Sequence, residues 1–279
     1  MNNVAVYDFY GKSDQSHDFL FCSDVHFDSL HCDRKMFKRH LDQAVEKNAK
    51  VFIFGDFFDL METRNDRRRS QKVREEHVGT NYLQLVLDEA FDFLRPYAKN
   101  IAFMSDGNHE TSVRTHLNVD PLTYLTVNLQ REGSEVVKMP YMGYIIFRFN
   151  IEMGGNHKYR IFYHHGLWGG VVSQGTQAVM RMAAIAPDAD LVVSGHTHNQ
   201  WQMNFTRYKL TRNDLMYIHE QNHLKLGSYK NEFESGSGFA VEKMMMPKPL
   251  GSYWVNLTMK YHQQATKRRD LVLSVNLAK

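Results

Sequence analysis

The stretch that decides the fold is Asp190–Gln200, DLVVSGHTHNQ. A short apolar run ends at Ser194–Gly195, and His196 and His198 follow with one residue between them. Alone, this pair reads as a polar loop or a capping pair more readily than as half of a metal site. The rest of the chain discriminates between these readings. DLVVSGH (190–196) is one of five similar runs, with HDFLFCSD (17–24), AKVFIFGD (49–56), NIAFMSDGN (100–108) and YRIFYHHG (159–166). All are rich in β-branched or aromatic residues and bounded by Gly, Asp or Asn, which predicts strands covered on both faces.

Amphipathic stretches separate them. Residues 33–49 place Met36, Phe37, His40, Leu41 and Val45 near one helical face, and residues 77–98 do the same with Tyr82, Leu85, Leu87, Phe91 and Leu94. Residues 120–130 and 176–187 predict shorter helices. Strand–helix alternation of this kind indicates an α/β core. After residue 200 the texture changes to alternating strands with polar turns, expected to supply a second sheet. No Pro/Gly/Ser-rich linker interrupts the chain, so one domain over 1–279 is expected, with a motif-bearing core at about 18–200 and a β-rich completion at about 201–279.

Composition narrows the function classes. With 34 basic and 31 acidic residues the net charge is +3, which by itself does not indicate a nucleic-acid binder. The two cysteines, Cys22 and Cys32, do not make a disulfide framework, and a chain of 279 residues buries enough surface without one. There is no basic start followed by an apolar block, and no apolar run approaches the roughly 18 residues of a membrane span. The expectation is a cytoplasmic protein with no membrane partner.

Each strand run delivers a polar side chain at its carboxyl end, where open α/β sheets bind ligands. The endings are Asp24-Val25-His26, Gly55-Asp56 with Asp59 three residues on, Gly107-Asn108-His109-Glu110, His164-His165-Gly166 and Gly195-His196-Thr197-His198. One such ending is weak evidence. Five in order, each after an apolar strand, are hard to obtain by chance.

Together these motifs resemble those of the calcineurin-like metallophosphoesterases, over roughly residues 18–200. The segment after His198, including KLGSYK (225–230), is similar in layout to compact members, some of them phage-encoded, for which the location would be the host cytoplasm. The resemblance implies a four-layer α/β/β/α sandwich of two mixed β-sheets flanked by helices, with a dinuclear metal site at the C-terminal strand ends. It implies that Asp24, His26 and His198 hold one metal, Asn108, His165 and His196 the other, and that Asp56 bridges them. It gives His109 a catalytic role beside the metals, stabilising the transition state or protonating the leaving oxygen, worth about 10²–10⁴-fold.

Donor chemistry agrees with this carry-over. Mixed imidazole and carboxylate ligands suit manganese first, with iron, zinc or nickel as alternatives, better than magnesium. Asp24 and Asp56 cancel two of four positive charges, leaving a site that attracts a phosphoryl group. Two ions about 3.5–4 Å apart lower the pKa of a bridging water towards about 7, giving hydroxide for in-line attack.

Several neighbours have weaker assignments. Asp59 reads as a residue that orients a ligand histidine, or as a helix N-cap. Glu110 is a candidate for orienting His109. Adjacent strand residues point to opposite faces, so of His164 and His165 only one aims at the metals, and the family pattern selects His165. Arg64, Arg67, Arg68, Arg69 and Arg74 form a basic cluster after the bridging aspartate, read mainly as a solvated face, with Arg69 the arginine singled out for substrate contact. Trp168 in HHGLWGG is a base-stacking residue or an anchored loop residue. Protein Ser/Thr phosphatases of the family carry arginine where this chain has Leu60-Met61 and Asp106, which argues against that activity. The expected substrate is therefore a phosphate ester, foremost a phosphodiester, with nucleotides and nucleic acids as candidates. The alternatives are a DNA or RNA nuclease and a non-catalytic metal-binding interaction module. The sequence is silent on oligomeric state.

Overall fold

The computed structural model describes residues 3–12, 14–60, 73–152, 155–166, 174–211, 213–234, 239–242, 244–261 and 269–278. In chain order the first half contains β1 (Val4–Gly11), β2 (Ser16–Cys22), α1 (Arg34–Glu46), β3 (Lys50–Phe54), α2 (Tyr82–Leu94), β4 (Ile101–Ser105), α3 (Asn108–Leu117), α4 (Pro121–Arg131) and β5 (Val137–Met139). The second half contains β6 (Met142–Ile151), β7 (Gly155–His164), α5 (Thr176–Ile185), β8 (Leu191–Ser194), β9 (Trp201–Leu210), β10 (Met216–Lys225), α6 (Phe239–Glu242), β11 (Ser252–Tyr261) and β12 (Arg269–Ala278).

The strands form two six-stranded mixed sheets, ordered β12-β11-β2-β3-β4-β5 and β1-β6-β7-β8-β10-β9. The two-residue period of a strand explains how they stack. In β2, Phe19 and Phe21 face the second sheet while Leu20 and Cys22 face the helices. In β3, Phe52 and Phe54 join the inter-sheet core, and Val51 and Ile53 meet the helices. The inter-sheet core is therefore rich in aromatic rings, such as Phe19 stacked on Phe147 at 4.6 Å between centroids. Deleting one such ring costs about 3–5 kcal/mol. Helices α1, α2 and α4 cover the outer face of the first sheet, and α5 covers the second over Phe162 and Val192. This is the α/β/β/α sandwich that the motifs imply, and none of the described helices is long and apolar enough to cross a membrane.

All five apolar runs are strands, but they are shared between the sheets: β2, β3 and β4 lie side by side in one, β7 and β8 in the other. The C-terminal third does not make a sheet of its own. It divides, β10 pairing parallel to β8 and β11 antiparallel to β2. Burial explains the division: β11 inserts Val255 and Leu257 into the inter-sheet core, whereas β9 is half-exposed along its length, as suits an edge.

Helix faces also shift slightly from expectation. In α1, capped by Asp33 accepting from the Met36 N–H at 2.8 Å, the buried stripe is Phe37, His40, Leu41 and Ala44, and Val45 is exposed. In α2 it is Val86, Leu87, Ala90 and Leu94, and Leu85 is exposed. A small alanine lets the helix approach the sheet where a larger side chain would hold it away.

Candidate metal centre

The loops after β2, β3, β4, β7 and β8 converge at one end of the sandwich. Backbone bonds lock them together: Asp24 N–H to the Gly55 carbonyl at 3.1 Å, His26 N–H to the Asp56 carbonyl at 3.1 Å, and Gly195 N–H to the His165 carbonyl at 2.6 Å. Five candidate ligands adopt the left-handed backbone region: Asp24 (φ 51°), His26 (49°), Asp56 (49°), His196 (73°) and His198 (55°). Non-glycine residues hold that region only where the surroundings over-determine them. Two glycines permit the close approach. A β-carbon on Gly107 would lie 2.1 Å from Asp56 Oδ1, and one on Gly195 would lie 2.0 Å from Ser23 Oγ and 2.4 Å from Asp24 Oδ2.

Two donor groups result. In the first, the His26 and His198 Nε2 atoms are 3.1 Å apart and His198 Nε2 is 3.4 Å from Asp24 Oδ1. Asp24 is fully buried, held by the Ser23 hydroxyl at 2.6 Å and the His196 N–H at 2.9 Å. In the second, His165 Nε2 is 3.0 Å from Asp56 Oδ2, and His196 Nδ1 is 2.6 Å from Asn108 Oδ1. The His165 Nδ1–H donates to the Phe54 carbonyl at 2.9 Å, leaving Nε2 directed at the site. The ligand atoms of Asp24, His26 and His198 lie within 4.8 Å of one another, as do those of Asp56, His165 and His196. Ring nitrogens and carboxylate oxygens aimed at common points are the donor set of a divalent cation with nitrogen preference, so the residues fit two such ions.

The surrounding residues hold these donors in place. Asp59 Oδ1 lies 2.8 Å from His26 Nδ1, and the Lys230 ammonium pairs with the same oxygen at 3.0 Å. Asp28 in turn accepts from the Asp59 and Leu60 N–H groups at 2.7 and 2.8 Å. The His109 N–H donates to Asp56 Oδ1 at 3.0 Å, its Nδ1 meets the Asp59 carbonyl at 2.5 Å, and its Nε2 is 3.9 Å from Asp56 Oδ2. Glu110 does not orient His109. It turns back to accept the N–H groups of Asp56 (3.1 Å), Phe58 (3.0 Å) and Gly107 (2.8 Å), clamping the two ligand loops together. At N3 of α3 a glutamate reaches back to its helix start, the capping-box geometry, and this takes it away from the neighbouring ring. His164 Nδ1 accepts the Gly166 N–H at 3.1 Å, so it shapes the turn while His165 enters the site.

Burial and charge set the protonation states. Burial, reinforced by Lys230, pushes His26 down; burial and His165 push His196 down to about 4. Burial would lower His165 too, but the Asp56 and Asp24 carboxylates outweigh it and hold this ring at about 9. Asp56 mirrors that: burial raises it, and the charges of His165 and His109 bring it well below the usual carboxylate range. Burial and the Asp56 charge push Glu110 up to about 8.

The calcineurin-like phosphoesterase family model matches residues 17–200, from the second residue of β2 to the residue before β9. The chain belongs to the calcineurin-like phosphoesterase family. Among solved structures, this calcineurin-like chain is similar to Vps29 from Chaetomium thermophilum (11% identity, 94% of this chain and 98% of that one, TM-score 0.38). It is also similar to Vps29 complexed with zinc from Entamoeba histolytica (12%, 94% and 99%, TM-score 0.38). A third is a conserved uncharacterized protein, a predicted phosphoesterase, from Streptococcus pneumoniae (13%, 93% and 99%, TM-score 0.35). No curated protein matches the chain.

Arg64, Arg67, Arg68, Arg69 and Trp168 lie outside the described residues. Arg74 is tied down locally, donating to the Ser29 and Cys32 carbonyls at 3.0 and 3.3 Å. Two buried residues at the site, Lys225 and Lys230, carried no signal in the sequence. A lysine among strand residues normally marks a solvent face, and only the fold reveals that these two are inside.

Proposed function

We propose that this family member is a metal-dependent phosphodiesterase acting on nucleotide-like or nucleic-acid phosphate esters, with manganese as the preferred metal. Asp24, His26 and His198 would hold one ion, and Asn108, His165 and His196 the other, with Asp56 between them. When bound, two such ions polarise the phosphoryl oxygens and supply a hydroxide nucleophile at neutral pH.

The observation that carries this reading is the setting of His109. Its Nδ1–H donates to the Asp59 carbonyl, which fixes the tautomer and points Nε2 towards the Asp56 carboxylate and the site. When doubly protonated, a ring so held can give its Nε2 proton to a leaving alkoxide and return to the neutral Nδ1–H form that the Asp59 carbonyl holds. The same loop delivers Asn108 to His196, so on this reading one helix start would carry both a metal ligand and the proton donor. Asp59 serves both sides, its carboxylate beside His26 and its carbonyl at His109.

The test is hydrolysis of bis-p-nitrophenyl phosphate and p-nitrophenyl phosphate by the Mn²⁺-loaded protein, repeated with Asp56→Asn and His109→Ala. Asp56→Asn should lose most of the diester activity, and His109→Ala a measurable part of it, more on an alkyl ester whose leaving group needs the proton. Unchanged turnover in both, or a wild-type protein that takes up no metal and turns over neither ester, would overturn the reading.

A further inference from the structure

Lys225 ends β10, in register with Ser194 of β8 and Trp201 of β9. Ser194 is the last strand residue before the loop that carries His196 and His198, so Lys225 leaves the sheet beside that loop. Its neighbour Leu224 enters the inter-sheet core, and strand alternation sends Lys225 to the opposite face, towards the start of α5. There Thr197 Oγ1, Lys225 Cε and Lys225 Nζ all gather at Gly175, 3.4, 3.6 and 3.8 Å from where its β-carbon would lie.

Lys225 is 1% exposed, and among the described residues no carboxylate or other acceptor meets its ammonium. Lys230, five residues on, shows how the same segment treats a buried lysine that is structural: it pairs with Asp59 at 3.0 Å and Glu232 at 3.5 Å. Two charges act on Lys225 in opposite senses: Asp24 favours its ammonium and Lys248 opposes it. The one anion, Asp24, already has its oxygens taken by the Ser23 hydroxyl and the His196 N–H. A buried cation without a counter-charge is strongly unfavourable, and the missing partner is an anion that arrives from outside. A second donor stands ready. Thr197 Oγ1 accepts from Asn199 Nδ2 at 3.3 Å, which leaves its hydroxyl hydrogen to donate elsewhere; Asn199 is itself held by Lys248 at 2.6 Å.

We propose that Lys225, with the Thr197 hydroxyl beside it, is a substrate-binding residue that takes an anionic oxygen of the substrate phosphate. The identity of that anion rests on the phosphoesterase reading above, but the binding itself can be measured without turnover. Inorganic phosphate is titrated calorimetrically into Mn²⁺-loaded wild type, Lys225→Met and Lys225→Arg. Methionine fills similar space without the charge, so the variant should fold with an unchanged or raised Tm and full metal content. Its phosphate affinity should fall about tenfold or more, with arginine retaining part of it. In steady state, KM should rise more than kcat falls. Unchanged phosphate affinity in Lys225→Met overturns the proposal. Should that variant fail to fold, a wild-type crystal soaked in phosphate decides: a phosphate oxygen within about 3.2 Å of Nζ supports it, and phosphate bound with Lys225 directed elsewhere overturns it. A protein that hydrolyses nothing yet binds phosphate through Lys225 would sink the enzyme reading and leave this one standing.

Discussion

His26 and His198, 172 residues apart in sequence, bring their Nε2 atoms within 3.1 Å of each other beside the buried carboxylate of Asp24. Two imidazoles converge so closely only where a proton or a cation lies between them. His26 is disposed to be neutral by burial and the charge of Lys230, so it has a lone pair for a cation. The geometry therefore rewards metal uptake on this side without prior loss of a proton from His26.

The other side behaves differently, and pH separates them. In the metal-free protein His165 stays protonated up to about 9, held there by Asp56 and Asp24 against the effect of burial. A metal ligand must be neutral, so an ion taken up by His165, as proposed, would expel its proton. Between about 6.5, the ordinary histidine value, and 9, apparent affinity for Mn²⁺ should rise with pH by up to about tenfold per unit. Calorimetry in two buffers of different ionisation enthalpy should detect a proton released on binding at pH 7.5. In the metal-free protein, the raised pKa has the matching consequence for stability. Its contribution is full below about 6.5 and is lost as pH rises through 9.

His109→Ala should separate chemistry from metal binding. The ring is anchored on a backbone carbonyl and is not placed among the ligands proposed here. Two ions per chain should remain by metal analysis, while kcat for a diester falls about 10²–10⁴-fold, the range for losing a general acid. A p-nitrophenolate leaving group needs little protonation, so the loss should be larger for an alkyl ester than for the nitrophenyl one.

Gly107→Ala should damage the site through space alone. Gly107 does not need a left-handed conformation, but its added methyl would sit 2.1 Å from Asp56 Oδ1 and 2.4 Å from the Asp56 N. The strand-to-helix turn must shift, taking Asn108 and His109 with it. Metal stoichiometry should fall below two per chain, and Tm should drop by several degrees, as about 1–3 kcal/mol of overpacking implies. Gly133→Ala is a useful contrast, because its β-carbon meets nothing within 4 Å and the cost there is only that of its positive φ.

Much of this was legible because the motifs are local and repeated. A glycine or aspartate after an apolar run marks a strand end, and five ends name one edge. What escaped is what depends on partners distant in sequence. Nothing within residues 214–277 reveals that β10 will pair with β8 and β11 with β2, because register is set by long-range contacts. Glu110 reads as a neighbour of His109 until the helix start turns it towards Gly107 and the β3 loop. The periodicity of α1 favours the larger Val45 over Ala44, whereas packing buries the smaller side chain.

Lys230→Met should expose the cost of Asp59. Burial would raise the Asp59 carboxyl, but Lys230 and His26 outweigh it and hold it far below its ordinary value. A depressed carboxylate contributes stability that is present above its unfolded pKa of about 3.9 and is lost as pH falls through the folded value. Removing the ammonium leaves a buried carboxylate without its lysine partner, which for a broken buried pair costs about 3–5 kcal/mol. Two results should follow in the metal-free protein. The denaturation midpoint in urea at pH 7 should fall, and the acid unfolding midpoint should move to higher pH, because Asp59 now takes up its proton earlier. The double variant Lys230→Met/Asp59→Asn should recover part of the loss at pH 7, since asparagine removes the unpaired charge. If Lys230→Met leaves both midpoints unchanged, the ion pair is not what holds Asp59 ionised, and the support of His26 must come from the Asp28 loop instead.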